Sequence, residues 1–132
     1  MDPGPDEMTR RLAEGFKAAI APIQQDLDRT FAPAVVLGVD LDPFGQPCLT
    51  VDGAAIYAVF DLDGDDAEVI AVVADAVQET LMDQYARRFW PTCARHGRGL
   101  HAVSDGGAAV WSCSDGPHVV ARVGDLDPQL LR

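Results

Sequence analysis

The chain has 132 residues, is 48% apolar and carries a formal charge of −11, which excludes a fully disordered protein and leaves room for one domain with its own core. So acidic a body repels phosphate before a local contact forms, which disfavours nucleic acid as a partner and nonspecific binding to anionic membrane. No apolar run approaches the roughly 20 residues of a membrane span, and "MDPGPDEMTRR" lacks the apolar core of a signal peptide, so a cytoplasmic address is expected.

Asp outnumbers Glu and Lys17 is the only lysine, a composition similar to that of proteins from high-GC bacteria. Three cysteines, Cys48, Cys93 and Cys113, are an odd and sparse set. They suit reduced thiols or metal ligands better than a disulfide framework.

Residues 1–5 read as a frayed tail. Met8, Leu12, Phe16, Ala19, Ile20, Ile23, Leu27 and Phe31 then recur at helical spacing and predict an amphipathic helix over about 6–31. Pro22 interrupts that pattern, so a kink or two shorter helices are expected, and Pro33 closes the element. The β-branched run at 34–41 predicts a strand ended by the turn "DPFGQP". Strands at 48–51 and 54–62 flank Asp52-Gly53, a dipeptide that supplies the positive φ of a type I′ hairpin. The third of these strands is apolar almost throughout and is expected at the centre of its sheet.

Alternating acids in "DLDGDDAE", 61–68, raise a calcium loop. The register fails, because Asp66 stands where such a loop needs glycine and Val72 where it needs a bidentate Glu. A capping box, with Asp65 as N-cap and Glu68 three residues on, accounts for the same residues. It opens a helix over about 66–88 with a buried stripe of Val69, Val73, Ala76, Val77, Thr80, Leu81 and Tyr85. Three short strands follow, at about 100–104, 108–113 and 118–124. Leu126, Leu130 and Leu131 in the tail are placed to fold back or to meet a partner.

Residues 89–124 hold two cysteines and all three histidines. Cys93-x2-His96 and Cys113-x4-His118 form a Cys2His2 set split into two pairs, the donor set that zinc takes in a tetrahedron. The arrangement resembles a zinc ribbon, although Ser114 stands where a ribbon usually has glycine after its cysteine; the resemblance covers this third of the chain and implies a structural zinc. A two-residue Asp115-Gly116 loop puts Cys113 opposite His118 on one face, together with Trp111 and Val120. Val110, Val119, Ala121 and Val123 then fall on the other face, which reads as the core side. If Asp105-Gly106-Gly107 is a three-residue loop, His101 shares the Cys113 face and rivals His118 as fourth ligand; a two-residue loop turns His101 away. Metal-free packing of the same cysteines and tryptophans is the plainer account.

These elements predict a single α+β domain over 1–132, with a mainly antiparallel sheet, two long helices on one side and a zinc-ribbon-like C-terminal hairpin. The expected function is a small acidic protein-binding module of adaptor, chaperone or immunity type, not an enzyme, with another protein as partner and a homodimer open to it. Arg87, Arg88, Arg95 and Arg98, a basic run without an acid, and Trp111 are the expected partner-binding residues. The order helix, three strands, helix, strands is similar to that of type III secretion chaperones. That resemblance implies a dimeric protein whose first helix and an exposed strand hold an extended client segment. The rival functions are a metal-dependent enzyme on Cys93, His96 and Cys113, and nucleic-acid binding through the ribbon and its arginines.

Overall fold

A computed structural model of the protein describes residues 5–56, 64–85, 89–116 and 118–130. The last part of the expected third strand, Arg87, Arg88 and Pro117 lie outside the described residues. The elements run α1 (Pro5–Thr30), β1 (Leu37–Leu41), β2 (Pro47–Val51), β3 (Ala54–Ile56), α2 (Asp66–Gln84), β4 (His101–Asp105), β5 (Ala108–Cys113) and β6 (His118–Arg122), with a 3-10 turn at Pro128–Leu130. This is the expected order in one α+β domain.

The first helix is a single element with Pro22 inside it, not two. Its neighbours explain the tolerance. Ala19, Ile23 and Leu27 are buried on both sides of the proline, so the packed face holds the backbone where one internal hydrogen bond is missing. Gly124 lies against the ring: a Cβ there would sit 3.0 Å from Pro22 Cβ, and its φ of +105° is itself a glycine conformation. Met8, by contrast, is exposed.

Among the described residues all strand pairing is antiparallel, but it makes two three-stranded sheets, β1-β2-β3 and β4-β5-β6, where the sequence suggested one. The helices pack on each other; α1 also covers the first sheet and α2 the second. In the first sheet the register sets Leu37 opposite Val51 and Val39 opposite Leu49, one face of alternate residues turned to α1. The central strand is β2, not the third strand, because β2 pairs on both sides. Asp52 and Gly53 have φ of 51° and 82°, the left-handed pair that a type I′ turn demands. Asp65 caps α2, accepting from the Glu68 N–H at 2.9 Å, as the capping box requires.

The core joins both helices to both sheets: Phe16, Ile23, Leu27, Val51, Val73, Leu81, Trp90 and Trp111 belong to one buried cluster. Polar contacts fix its C-terminal part. Asp26 is fully buried and accepts from Trp111 Nε1 at 2.8 Å, Gly124 N at 2.7 Å and Leu126 N at 2.9 Å. Burial pushes its carboxyl above the ordinary 3.8, while those three bonds and Arg29 hold it back. Charge is segregated along the chain. Between Arg29 and Arg87 there is no lysine or arginine, and every charged residue there is acidic. Glu68, Asp75, Glu79 and Asp83 line the exposed side of α2.

Candidate metal centre

Cys93 and His96 sit in a tight loop between α2 and β4 whose stem is closed by the backbone. Leu100 N donates to Pro91 O at 2.8 Å, Thr92 bridges to Gly99, and Cys93 N donates to Arg98 O at 2.8 Å. Gly97, at φ +69°, donates to Cys93 O at 2.7 Å and turns the chain back. The N–H groups of His96 and Arg95 therefore point at the Cys93 sulfur. Burial pushes the Cys93 thiol up, but the hydrogen bonds from those two N–H groups, the Cys113 thiol and the Arg95 charge outweigh it and bring it below its ordinary value. Such a sulfur is prepared to be a thiolate.

Cys113 ends β5 and His118 opens β6, and the Asp115-Gly116 turn sets them directly opposite one another, as the two-residue loop predicts. Gly116 supplies the positive φ, +60°. His118 Nδ1 lies 3.1 Å from Gly116 O; a carbonyl can only accept, so Nδ1 is the donor of this pair. Nε2, the other ring nitrogen, faces Cys93 Sγ at 3.8 Å. An imidazole anchored through its other ring nitrogen is the usual support of a metal ligand.

The loop and the hairpin converge. His96 Nδ1 stands 3.7 Å from Cys93 Sγ and 3.5 Å from Cys113 Sγ, and the two imidazole rings are 5.1 Å apart. One ligand atom from each of Cys93, His96, Cys113 and His118 lies within 4.8 Å of all the others. The four side chains are close enough to hold a metal ion. Both sulfurs are buried, at 2% and 0% exposure, and the imidazoles are half-buried, so the sulfurs line the inside of the cluster and the imidazoles its rim.

His101 is not part of it. Asp105 pairs with Ala108 across a two-residue Gly106-Gly107 turn, so His101 stands opposite Ser112 and is exposed. Of the residues expected on the core side, Val110 is buried and Ala121 and Val123 pack on the core, but Trp111 and Cys113, expected on the other face, are buried too. Trp111, expected to meet a partner, is fully buried and bonds Asp26, its ring 5.5 Å from that of Trp90. A bulge at Trp111/Ser112 sets Trp111 opposite Ala121 instead of Val120, which lets Val120 and Ala121 both pack on the core. Burial of the indole, with its N–H satisfied, decided the face over the β-branched Val119, which stays half exposed. Of the expected arginines, Arg95 and Arg98 are exposed beside the loop. Arg98 Nε donates to Asp115 Oδ2 at 3.3 Å and so ties the loop to the hairpin turn.

Two supporting residues escape the reading by motif. Gln78 on α2 donates to Trp90 O at 3.0 Å and to Leu100 O at 2.7 Å, gripping both ends of the stem of the Cys93–His96 loop. Asp26 fixes β5 two residues before Cys113. The available signal in each case is a polar side chain inside an apolar stripe: Gln78 beside Val77 and Leu81, Asp26 between Ile23 and Leu27. Leu126 folds back into the core and Leu130 O accepts from Ala94 N at 3.0 Å, so the tail buttresses the loop. Comparison with protein-family models, with curated proteins and with solved structures gives no match.

Proposed function

We propose that this chain is a small protein-binding module whose C-terminal sheet is clasped by a structural zinc ion on Cys93, His96, Cys113 and His118. The convergence of those four ligand atoms carries the reading. Tetrahedral zinc, with bonds of about 2.3 Å to sulfur and about 2.0–2.1 Å to nitrogen, sets neighbouring S and N ligands about 3.6 Å apart. The S···N separations of 3.5, 3.7 and 3.8 Å match that spacing within a few tenths of an ångström. Two thiolates with two imidazoles favour zinc over the oxygen-seeking magnesium and calcium. Four protein ligands close the tetrahedron, as structural sites do; a catalytic zinc keeps one position for water.

A clasp of this kind holds shape and leaves the surface to do the work. Phe44 is 88% exposed at the β1–β2 turn, where Asp42 Oδ1 accepts from Phe44 N and Gln46 N at 2.8 and 2.9 Å. A large aromatic held outward on a built turn supports a protein contact, since such side chains anchor interfaces. Phe89 and Leu41 are exposed as well. Elemental analysis of protein purified without a histidine tag should find about one zinc per chain, lost in Cys113→Ser. Cobalt substitution should give the spectrum of a closed tetrahedral S2N2 site. An open, water-bound cobalt site would favour the enzyme reading instead, and pull-down from lysate with Phe44→Ser as control tests the binding role.

A further inference from the structure

The two sulfurs of the cluster reach it from different parts of the chain, Cys93 from the loop before β4 and Cys113 from the end of β5, and they stand within 4.8 Å of each other. A disulfide needs them at about 2.05 Å, a closure of under roughly 3 Å shared by two side chains that the metal otherwise holds apart. Cys48, the third cysteine, lies on β2 in the other sheet and outside the cluster, so it does not compete for either partner. Both cysteines are buried and the two histidines are half-buried, so an oxidant that reaches the sulfurs has to be small enough to pass the imidazole rim.

We infer that the metal centre is also a peroxide-responsive clasp, in which Cys93 and Cys113 close to a disulfide and release the metal. This rests on the zinc reading above. One thiolate attacks an oxygen of hydrogen peroxide with an electron pair, so that an S–O bond forms, the O–O bond breaks and hydroxide leaves. The second thiolate then attacks that sulfur, the S–S bond forms, the S–O bond breaks and a second hydroxide leaves, and two protons from solvent turn the hydroxides into two waters. The sulfenic acid on the first sulfur is the intermediate that the second sulfur attacks. Zinc is then left with two imidazoles and dissociates. The change is local to the loop and hairpin turn, because Gln78 and Asp26 hold the stem and β5 from the helices. A dithiol reductant with added zinc restores the closed site.

The test uses the zinc-loaded full chain carrying Cys48→Ser, treated with a small excess of hydrogen peroxide and followed with a chromogenic chelator, thiol titration and peptide mass mapping. The expected result is release of the bound zinc, loss of both remaining thiols and a peptide joining Cys93 to Cys113, all reversed by dithiothreitol and zinc. Zinc retained under peroxide, or released with the sulfurs oxidised singly and no joined peptide, overturns the switch alone. A parent chain that binds no zinc at all overturns the zinc reading as well.

Discussion

Replacing Asp26 with alanine should be the most damaging single change outside the Cys93, His96, Cys113 and His118 cluster. The carboxylate is fully buried and answers three N–H donors, those of Trp111, Gly124 and Leu126. Each donor left unpaired costs about 1–3 kcal/mol, and the recovered cost of burying a carboxylate offsets part of the sum. The net loss should be about 3–5 kcal/mol, the range seen when one member of a buried charged network is removed. At roughly 3–4 °C per kcal/mol for a chain of this size, the melting midpoint should fall by about 10–18 °C. Asp26→Asn should cost less, about 1–2 kcal/mol, because its oxygen can still accept from the two donors that share Oδ2 and only the Leu126 N–H, which would face the amide NH2, loses its acceptor. Protonation gives a second reading. The native carboxyl lies above 3.8, so the folded state holds the proton more tightly than the unfolded state does. Its contribution is therefore greatest below about 3.8 and is lost as pH rises through the native value. The stability advantage of the parent over Asp26→Asn should shrink as pH is raised from about 3.5. Urea melts at several pH values measure both quantities; an Asp26→Ala loss below about 1 kcal/mol, or an advantage that grows with pH, would refute the reasoning.

Zinc removed with a chelator should lower the melting midpoint by about 14 °C if free zinc had stood near a thousand times its dissociation constant, a linkage of about 4 kcal/mol. Amide exchange should quicken in residues 91–100 and 111–116 and stay slow in α1. Asp65→Ala removes the cap on α2 and should cost about 1 kcal/mol in a denaturant melt without changing the zinc content. At Gly116 a Cβ would meet nothing within 4 Å, so only the φ of +60° resists substitution. Gly116→Val should cost about 1–2 kcal/mol and Gly116→Asn clearly less, which thermal melts of the two variants would show.

The order of elements was legible because it rests on local signals: the 3.6-residue stripe of α1, the Asp52-Gly53 and Asp115-Gly116 turns, and the Asp65 cap. The pairing of Cys113 with His118 followed from turn length alone. What escaped depends on contacts between distant segments. Nothing near Trp111 in the sequence says that Asp26, 85 residues away, will accept its N–H, so the sequence places the buried Trp111 on the outer face and the half-exposed Val119 on the inner one. His101 hung on whether a glycine turn had two residues or three, a choice that Asp105-Gly106-Gly107 permits either way. The division into two sheets was set by how the two helices pack, which periodicity within one element does not record.

The run of acids between Arg29 and Arg87 has a consequence for handling the protein. Asp75, Glu79 and Asp83 follow one another at four-residue spacing on the exposed side of α2, where neighbouring like charges repel, and the last turn of that helix holds no base to relieve them. Small ions supply the screening that the chain itself lacks, since the Debye length shortens from about 30 Å at 0.01 M salt to about 8 Å at 0.15 M. Dilute buffer is therefore the harsher medium for this fold, and moderate salt should steady it.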